Sequence, residues 1–122
     1  MKVLIVDSSV MIIERLEEIL TETGNISVFL KAESYVEASK LFKDNKPDAV
    51  LLDCSLPENG SQKLLKEFKK EGSKTMVIIL TIREDIYMRE QCKLLGADFI
   101  IDKFYDFEKI SGAIKTIAAQ KN

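Results

Sequence analysis

Five short apolar runs punctuate the chain, and each is followed by a stretch whose apolar positions recur at helical spacing. The runs occupy residues 3–6, 26–30, 49–52, 76–80 and 99–101, and valine and isoleucine dominate them. Four of the five are continuous rather than alternating, which predicts strands buried on both faces of a parallel sheet.

The intervening stretches predict helices. Ile12, Leu16, Ile19 and Leu20 share one face of the first, and Gly24 follows as a stop signal. Ser34-Tyr35-Val36-Glu37 has capping-box spacing and opens the second, which would bury Ala38, Leu41 and Phe42. Lys46-Pro47-Asp48 turns the chain into the third run. The third helix carries Leu64, Leu65 and Phe68 and ends at Gly72; the fourth carries Met88, Cys92 and Leu95 and ends at Gly96. The fifth begins near Asp106 and carries Phe107, Ile110, Ile114 and Ile117. Strand and helix alternate five times, which predicts an α/β fold with helices on both faces and right-handed crossovers. Five such units favour a flavodoxin-like (βα)5 doubly wound parallel sheet of strand order 2-1-3-4-5. Residues 1–122 read as one domain with nothing left over for an output domain.

Composition narrows the function. A net charge of -2 argues against a nucleic-acid surface, which needs a clustered basic excess. Lys63, Lys66, Lys69 and Lys70 interleave with Leu64, Leu65 and Phe68 and read as a solvated helix face. Cys54 and Cys92 are too few for a disulfide framework and, without histidine, cannot close a zinc shell, so they read as small buried apolar residues. The apolar run after Lys2 stops at Asp7, too soon for a signal peptide, and no stretch approaches the ~20 apolar residues of a membrane helix. A cytoplasmic, reduced setting away from membranes follows as the expectation.

In sheets of this kind the working site lies beyond the carboxyl ends of the strands. Those ends carry Asp7-Ser8, Asp53, Thr81 and Asp102-Lys103. Taken singly, each residue has a plain structural reading. Asp7, Ser8 or Ser9 could cap the first helix, Thr81 with Glu84 has capping-box spacing, Asp53 could open a turn, and Lys103 could be an ordinary exposed lysine. Together they bring two carboxylates, a hydroxyl and an ammonium to one sheet edge.

These residues sit in Val-Asp-Ser-Ser at 6–9, Leu-Leu-Asp-Cys-Ser-Leu-Pro at 51–57, Ile-Leu-Thr at 79–81 and Gly-Ala-Asp-Phe-Ile-Ile-Asp-Lys at 96–103. In that order, from Lys2 to about Ile117, the chain resembles the receiver domain of two-component response regulators. Its closing stretch is similar to stand-alone receivers in particular. The resemblance implies that Asp53 accepts a phosphoryl group from a sensor histidine kinase or phosphotransfer protein. It implies Mg2+ held by the Asp7 and Asp53 carboxylates and the Ser55 backbone carbonyl. It further implies Lys103 paired with phosphoryl oxygens, Thr81 hydrogen-bonded to them, and a downstream protein partner read through altered binding. The residue types suit the chemistry, because phosphoryl transfer asks mainly for positioning and charge neutralisation around a carboxylate nucleophile.

Five positions depart from the family pattern. Ser8 stands where a second acid is usual, Ile82 where a small residue is usual, Ile100 where an aromatic is usual (Phe99 lies one earlier), and Phe104 where proline follows the lysine. Gly60 arrives one residue early. A non-proline cis bond costs ~2.5–4 kcal/mol, so Lys103–Phe104 is expected trans. Ser8, Ile82 and Ile100 favour an alternative, a pseudo-receiver that docks partners without phosphorylation. A flavin site is disfavoured, since Asp7-Ser8-Ser9 offers no glycine-rich phosphate cradle and carries an anion.

Overall fold

Alternating strands and helices are what the chain forms in a computed structural model that describes residues 1–82 and 85–121. The strands are β1 (Lys2–Val6), β2 (Val28–Ala32), β3 (Ala49–Asp53), β4 (Met76–Thr81) and β5 (Phe99–Asp102). The helices are α1 (Val10–Thr23), α2 (Tyr35–Asn45), α3 (Gly60–Phe68), α4 (Ile86–Leu94) and α5 (Phe107–Gln120), with a 3-10 turn at Pro57–Asn59. All pairings are parallel and the order is β2-β1-β3-β4-β5, the flavodoxin-like arrangement.

The continuous apolar runs are explained by two cores. Val3, Ile5 and Leu51 face α1 and α5, where they meet Ile13, Leu16, Ile110 and Ile114. Leu4, Val6, Val50 and Leu52 face α2, α3 and α4, where they meet Ala38, Leu64, Phe68 and Cys92. A central strand flanked on both sides has no solvent face, so β3 is buried along its whole length. Both cysteines are free and buried. Among the described residues no helix is long and apolar enough to cross a membrane.

Several local expectations shift. β2 starts at Val28 rather than Ile26, because pairing with β1 from Lys2↔Val28 to Val6↔Ala32 sets its bounds. It is an edge strand, and its Lys31 turns outward to Glu17 at 2.7 Å, which hid its true end from the apolar pattern. α1 buries Ile13 with Leu16 and Leu20, while Ile12 and Ile19 are half-buried at the flanks of that face. In α2 only Ala38 is fully buried; Phe42 is half-buried and packs against Phe68 with ring centroids 4.4 Å apart. α3 ends at Phe68, ahead of Gly72. Lys69 leaves the solvated lysine face, bonding Asp98 at 2.8 Å and the Thr75 carbonyl at 3.0 Å. Gly24 and Gly96 do close α1 and α4 with φ of 82° and 98°, which side chains other than glycine rarely adopt.

Candidate functional site

Parallel register stacks the strand ends. Val6 pairs with Leu52, so Asp7 and Asp53 continue two adjacent strands; Asp53 pairs with Leu80 and Thr81 with Asp102. Asp7, Asp53, Thr81 and Lys103 are all buried at this edge. The ammonium of Lys103 bridges the carboxylates, 3.1 Å from Asp7 Oδ2 and 3.4 Å from Asp53 Oδ1. Its backbone N–H donates to the Thr81 carbonyl at 2.9 Å. The plain reading of Lys103 as an exposed lysine is therefore corrected: only 11% of its side chain is exposed, since two carboxylates hold its head inside.

The electrostatics follow from that packing. Burial pushes the Asp7 carboxyl above the ordinary carboxylate range, and the Asp53 charge adds to the rise; the Ser9 N–H and Lys103 act against it. Burial alone would lower the Lys103 ammonium, but Asp53 and Asp7 outweigh it and raise it, so it stays charged at neutral pH. Burial, with help from the Asp53 charge, pushes the neighbouring Cys54 thiol up to about 11, which keeps it protonated and unreactive.

Asp53 is oriented by hydroxyls. Ser55 Oγ lies 3.0 Å from Asp53 Oδ2 and 3.2 Å from Oδ1, so its one proton serves either oxygen, and the Ser55 N–H reaches Oδ1 at 3.4 Å. Buried Ser61 donates to the Asp53 carbonyl at 2.5 Å and accepts from the Leu56 N–H at 3.1 Å, pinning the turn that follows the strand. Asp102 Oδ1 accepts from the N–H groups of Phe104 and Tyr105, each at 2.9 Å, which shapes the turn around Lys103. Sequence reading missed the roles of Ser61 and Asp102. The Asp102 signal was available as an Asx turn, whereas nothing in the sequence marks Ser61.

The helix-capping readings separate cleanly. Ser9 caps α1, accepting from the Ile12 N–H at 3.3 Å, while Asp7 Oδ1 accepts from the Ser9 N–H at 2.9 Å and Ser8 is exposed. Asp85 caps α4, accepting from the Met88 N–H at 3.0 Å; Glu84, the capping partner read for Thr81, lies outside the described residues. Thr81 Oγ1 has no hydrogen-bond partner among the described residues, although it is fully buried. An unmet buried hydroxyl costs about 1–3 kcal/mol, so it marks a place that something else completes.

The departures have structural counterparts. The Lys103–Phe104 bond is trans. Ile100 packs toward α4 and Phe99 toward α5, so the two residues serve opposite cores. The shortened turn after Asp53 puts Glu58 and Asn59 in the left-handed region at φ 57° and 59°. Gly60 then packs close, where an added Cβ would lie 3.3 Å from Leu56 Cβ.

The donor set suits a hard divalent cation. Asp7 and Asp53 supply two carboxylates against one ammonium, leaving surplus negative charge and only oxygen ligands, as Mg2+ prefers. Among the described residues no three acidic, cysteine or histidine side chains gather into a metal cage, so water would fill most of the coordination shell.

Known proteins resemble the chain in sequence and fold. The family model described as the response regulator receiver domain matches residues 3–115. Sporulation initiation phosphotransferase F of Bacillus subtilis is 31% identical over 114 residues, covering 93% of this chain and 90% of that protein. Response regulator MprA of a Mycobacterium species is 28% identical over 116 residues, covering 95% of this chain but 50% of that protein, so the chain spans about half the length of such relatives. The solved structure of a response regulator receiver domain protein from Clostridium thermocellum superposes with a TM-score of 0.86 at 28% identity, over 98% of this chain and 95% of that one.

Proposed function

The chain belongs to the response regulator receiver domain family, and from that premise we propose that Asp53 is its phosphoacceptor in two-component signalling. Receiver domains are signalling modules that bind Mg2+ at the phosphorylation site and interact with histidine kinases or phosphotransfer proteins. Here an Asp53 carboxylate oxygen attacks the phosphorus of a partner's phosphohistidine. The P–O bond of an acyl phosphate forms, the P–N bond breaks, and its electron pair stays with the imidazole. Lys103 shifts from the carboxylates to neutralise phosphoryl oxygens, and the Thr81 hydroxyl gains the acceptor it now lacks. Asp7, Asp53 and the Ser55 carbonyl would hold Mg2+, which would supply charge neutralisation for the phosphoryl oxygens. The observation that carries this reading is Lys103 held between two buried carboxylates, 3.1 Å and 3.4 Å away, beside a buried hydroxyl with no partner among the described residues.

Exposed apolar groups at the mouth suit a protein donor rather than a small one alone. Val10 and Met11 open α1 just after Asp7, and Phe104 and Tyr105 follow Lys103 directly. A cytoplasmic setting suits such a donor. Signalling then runs through changed partner affinity at the face of α4, β5 and α5.

A second reading, the phosphorylation-independent pseudo-receiver, is favoured by Ser8, exposed where a second acid is usual. Incubation with acetyl phosphate separates the two. One phosphoryl group per chain, gained only with Mg2+, is expected; a folded chain that stays unlabelled at high Mg2+ supports the pseudo-receiver instead.

A further inference from the structure

On the flank of α4 that faces α3 lies a cleft of about 600 Å3. Its α4 wall presents Tyr87 and Leu94, 72% and 87% exposed, above half-buried Met88 and Leu95. Its α3 wall presents Lys63 and Lys66, both exposed and neither in an ion pair with a described carboxylate. No described acid lines the cleft, although the chain carries 20 acidic and 18 basic residues. A second cleft of similar size, beside the starts of β3 and β4, sets Lys46, Lys70, Lys74 and Lys121 among Asp48, Glu67 and Glu71, so its acids offset most of its positive charge. Of the two, the α3–α4 cleft is the one whose apolar floor lies beside lysines with no described acid in its wall.

We propose that this cleft docks an acidic amphipathic helix of a partner protein. The length fits: Tyr87 to Leu94 spans about 10 Å at 1.5 Å per residue, two turns of a docked helix. Apolar anchors at i, i+3, i+4 and i+7 would cover Tyr87, Met88 and Leu94, and glutamates on the flank would meet Lys63 and Lys66. The two glutamines of the wall are engaged within the chain, Gln62 with Met88 Sδ at 3.2 Å and Gln91 with the Tyr87 hydroxyl at 2.8 Å, while Lys63 lies 5.9 Å from the Tyr35 ring centroid, a contact that leaves its charge unneutralised. Exposed Tyr87 and Leu94 together with Met88 and Leu95 form a contiguous apolar strip rimmed by lysine, the kind of surface that partner proteins cover. The inference is independent of the phosphoacceptor reading, because the cleft is formed in the unphosphorylated chain.

The test offers the unphosphorylated protein a fluorescein-labelled amphipathic peptide of leucine and glutamate, and a counterpart with lysine in place of glutamate. Saturable anisotropy is expected for the acidic peptide only, with amide shifts at Lys63, Tyr87, Gln91 and Leu94. Binding is expected to weaken about tenfold or more in the Lys63→Glu, Lys66→Glu double variant and in Leu94→Ser. These positions are exposed, so circular dichroism should be unchanged. Equal binding of both peptides, shifts confined to α1 or α5, or indifference to the charge reversal would overturn the proposal. So would concentration-dependent self-association abolished by the same double variant, which would make a second copy the occupant.

Discussion

The middle of the sheet and its carboxyl edge are built from the same strands to opposite ends. In the middle, Leu4, Ile5, Leu51, Leu52, Ile78 and Ile79 are wholly buried among other apolar groups, and nothing polar is left over. One residue further along, β1 and β3 lead into two like charges 3.1 Å and 3.4 Å from a single ammonium, and β4 ends on a hydroxyl with no partner among the described residues. The turn beside them holds Glu58 and Asn59 in left-handed conformations. Strain and buried charge persist only where surrounding structure over-determines them, and here the filled middle supplies that support. The difference teaches that stability is concentrated in the interior and that the edge is kept short of it, as the proposed chemistry would need.

The strongest way to break this comparison is to remove the ammonium. Lys103→Met leaves two buried carboxylates without a counter-charge and is expected to cost about 3–5 kcal/mol in urea unfolding at neutral pH. Much of that should return as pH falls and the carboxylates protonate. Leu52→Ala should cost a similar ~2–5 kcal/mol through a cavity, with no such recovery. A pH-independent loss in Lys103→Met would make the edge behave like the middle.

Asp7→Asn tests the same contrast with the opposite sign. The folded carboxyl of Asp7 titrates above its ordinary value of 3.8. Between that value and the folded one the native state binds the extra proton, so the Asp7 contribution to stability falls as pH rises through this window. Asp7→Asn should erase that part of the pH slope and gain about 0.5–2 kcal/mol at neutral pH, while weakening Mg2+ binding. Paired urea curves at acid and neutral pH check both halves.

Ser8→Asp sharpens the comparison at the metal. Exposed Ser8 offers no charge, so an added carboxylate should tighten Mg2+ binding by up to about tenfold, a gain of about 1.4 kcal/mol after the hydration lost by ion and carboxylate. Calorimetric Mg2+ titration reads it directly. Unchanged affinity in a folded variant would place Ser8 outside the coordination shell.

The middle was far more legible than the edge. Continuous Val, Ile and Leu runs encode burial on both faces, so the layers could be read from pattern, and the strand order followed from the arrangement that five such units favour. β2 slipped because an edge strand is bounded by its pairing with β1 and carries an outward Lys31. At the edge, residue types pointed to Asp7, Asp53, Thr81 and Lys103, which the fold does bring together. Their states were not legible. Burial of Lys103 depends on two carboxylates that lie 96 and 50 residues away in the chain, and the unmet Thr81 hydroxyl depends on what is missing around it. Ser61 escaped notice because a buried serine that pins a turn has no periodic or spacing signature.

The central claim is that this edge exists to phosphorylate one carboxylate. The most direct measurement labels the protein with acetyl phosphate and Mg2+, reduces the acyl phosphate with borohydride, and maps the product by peptide mass spectrometry. The expected result is modification of Asp53 alone, lost in a folded Asp53→Asn variant. Label on another carboxylate, or label retained by Asp53→Asn, would contradict it.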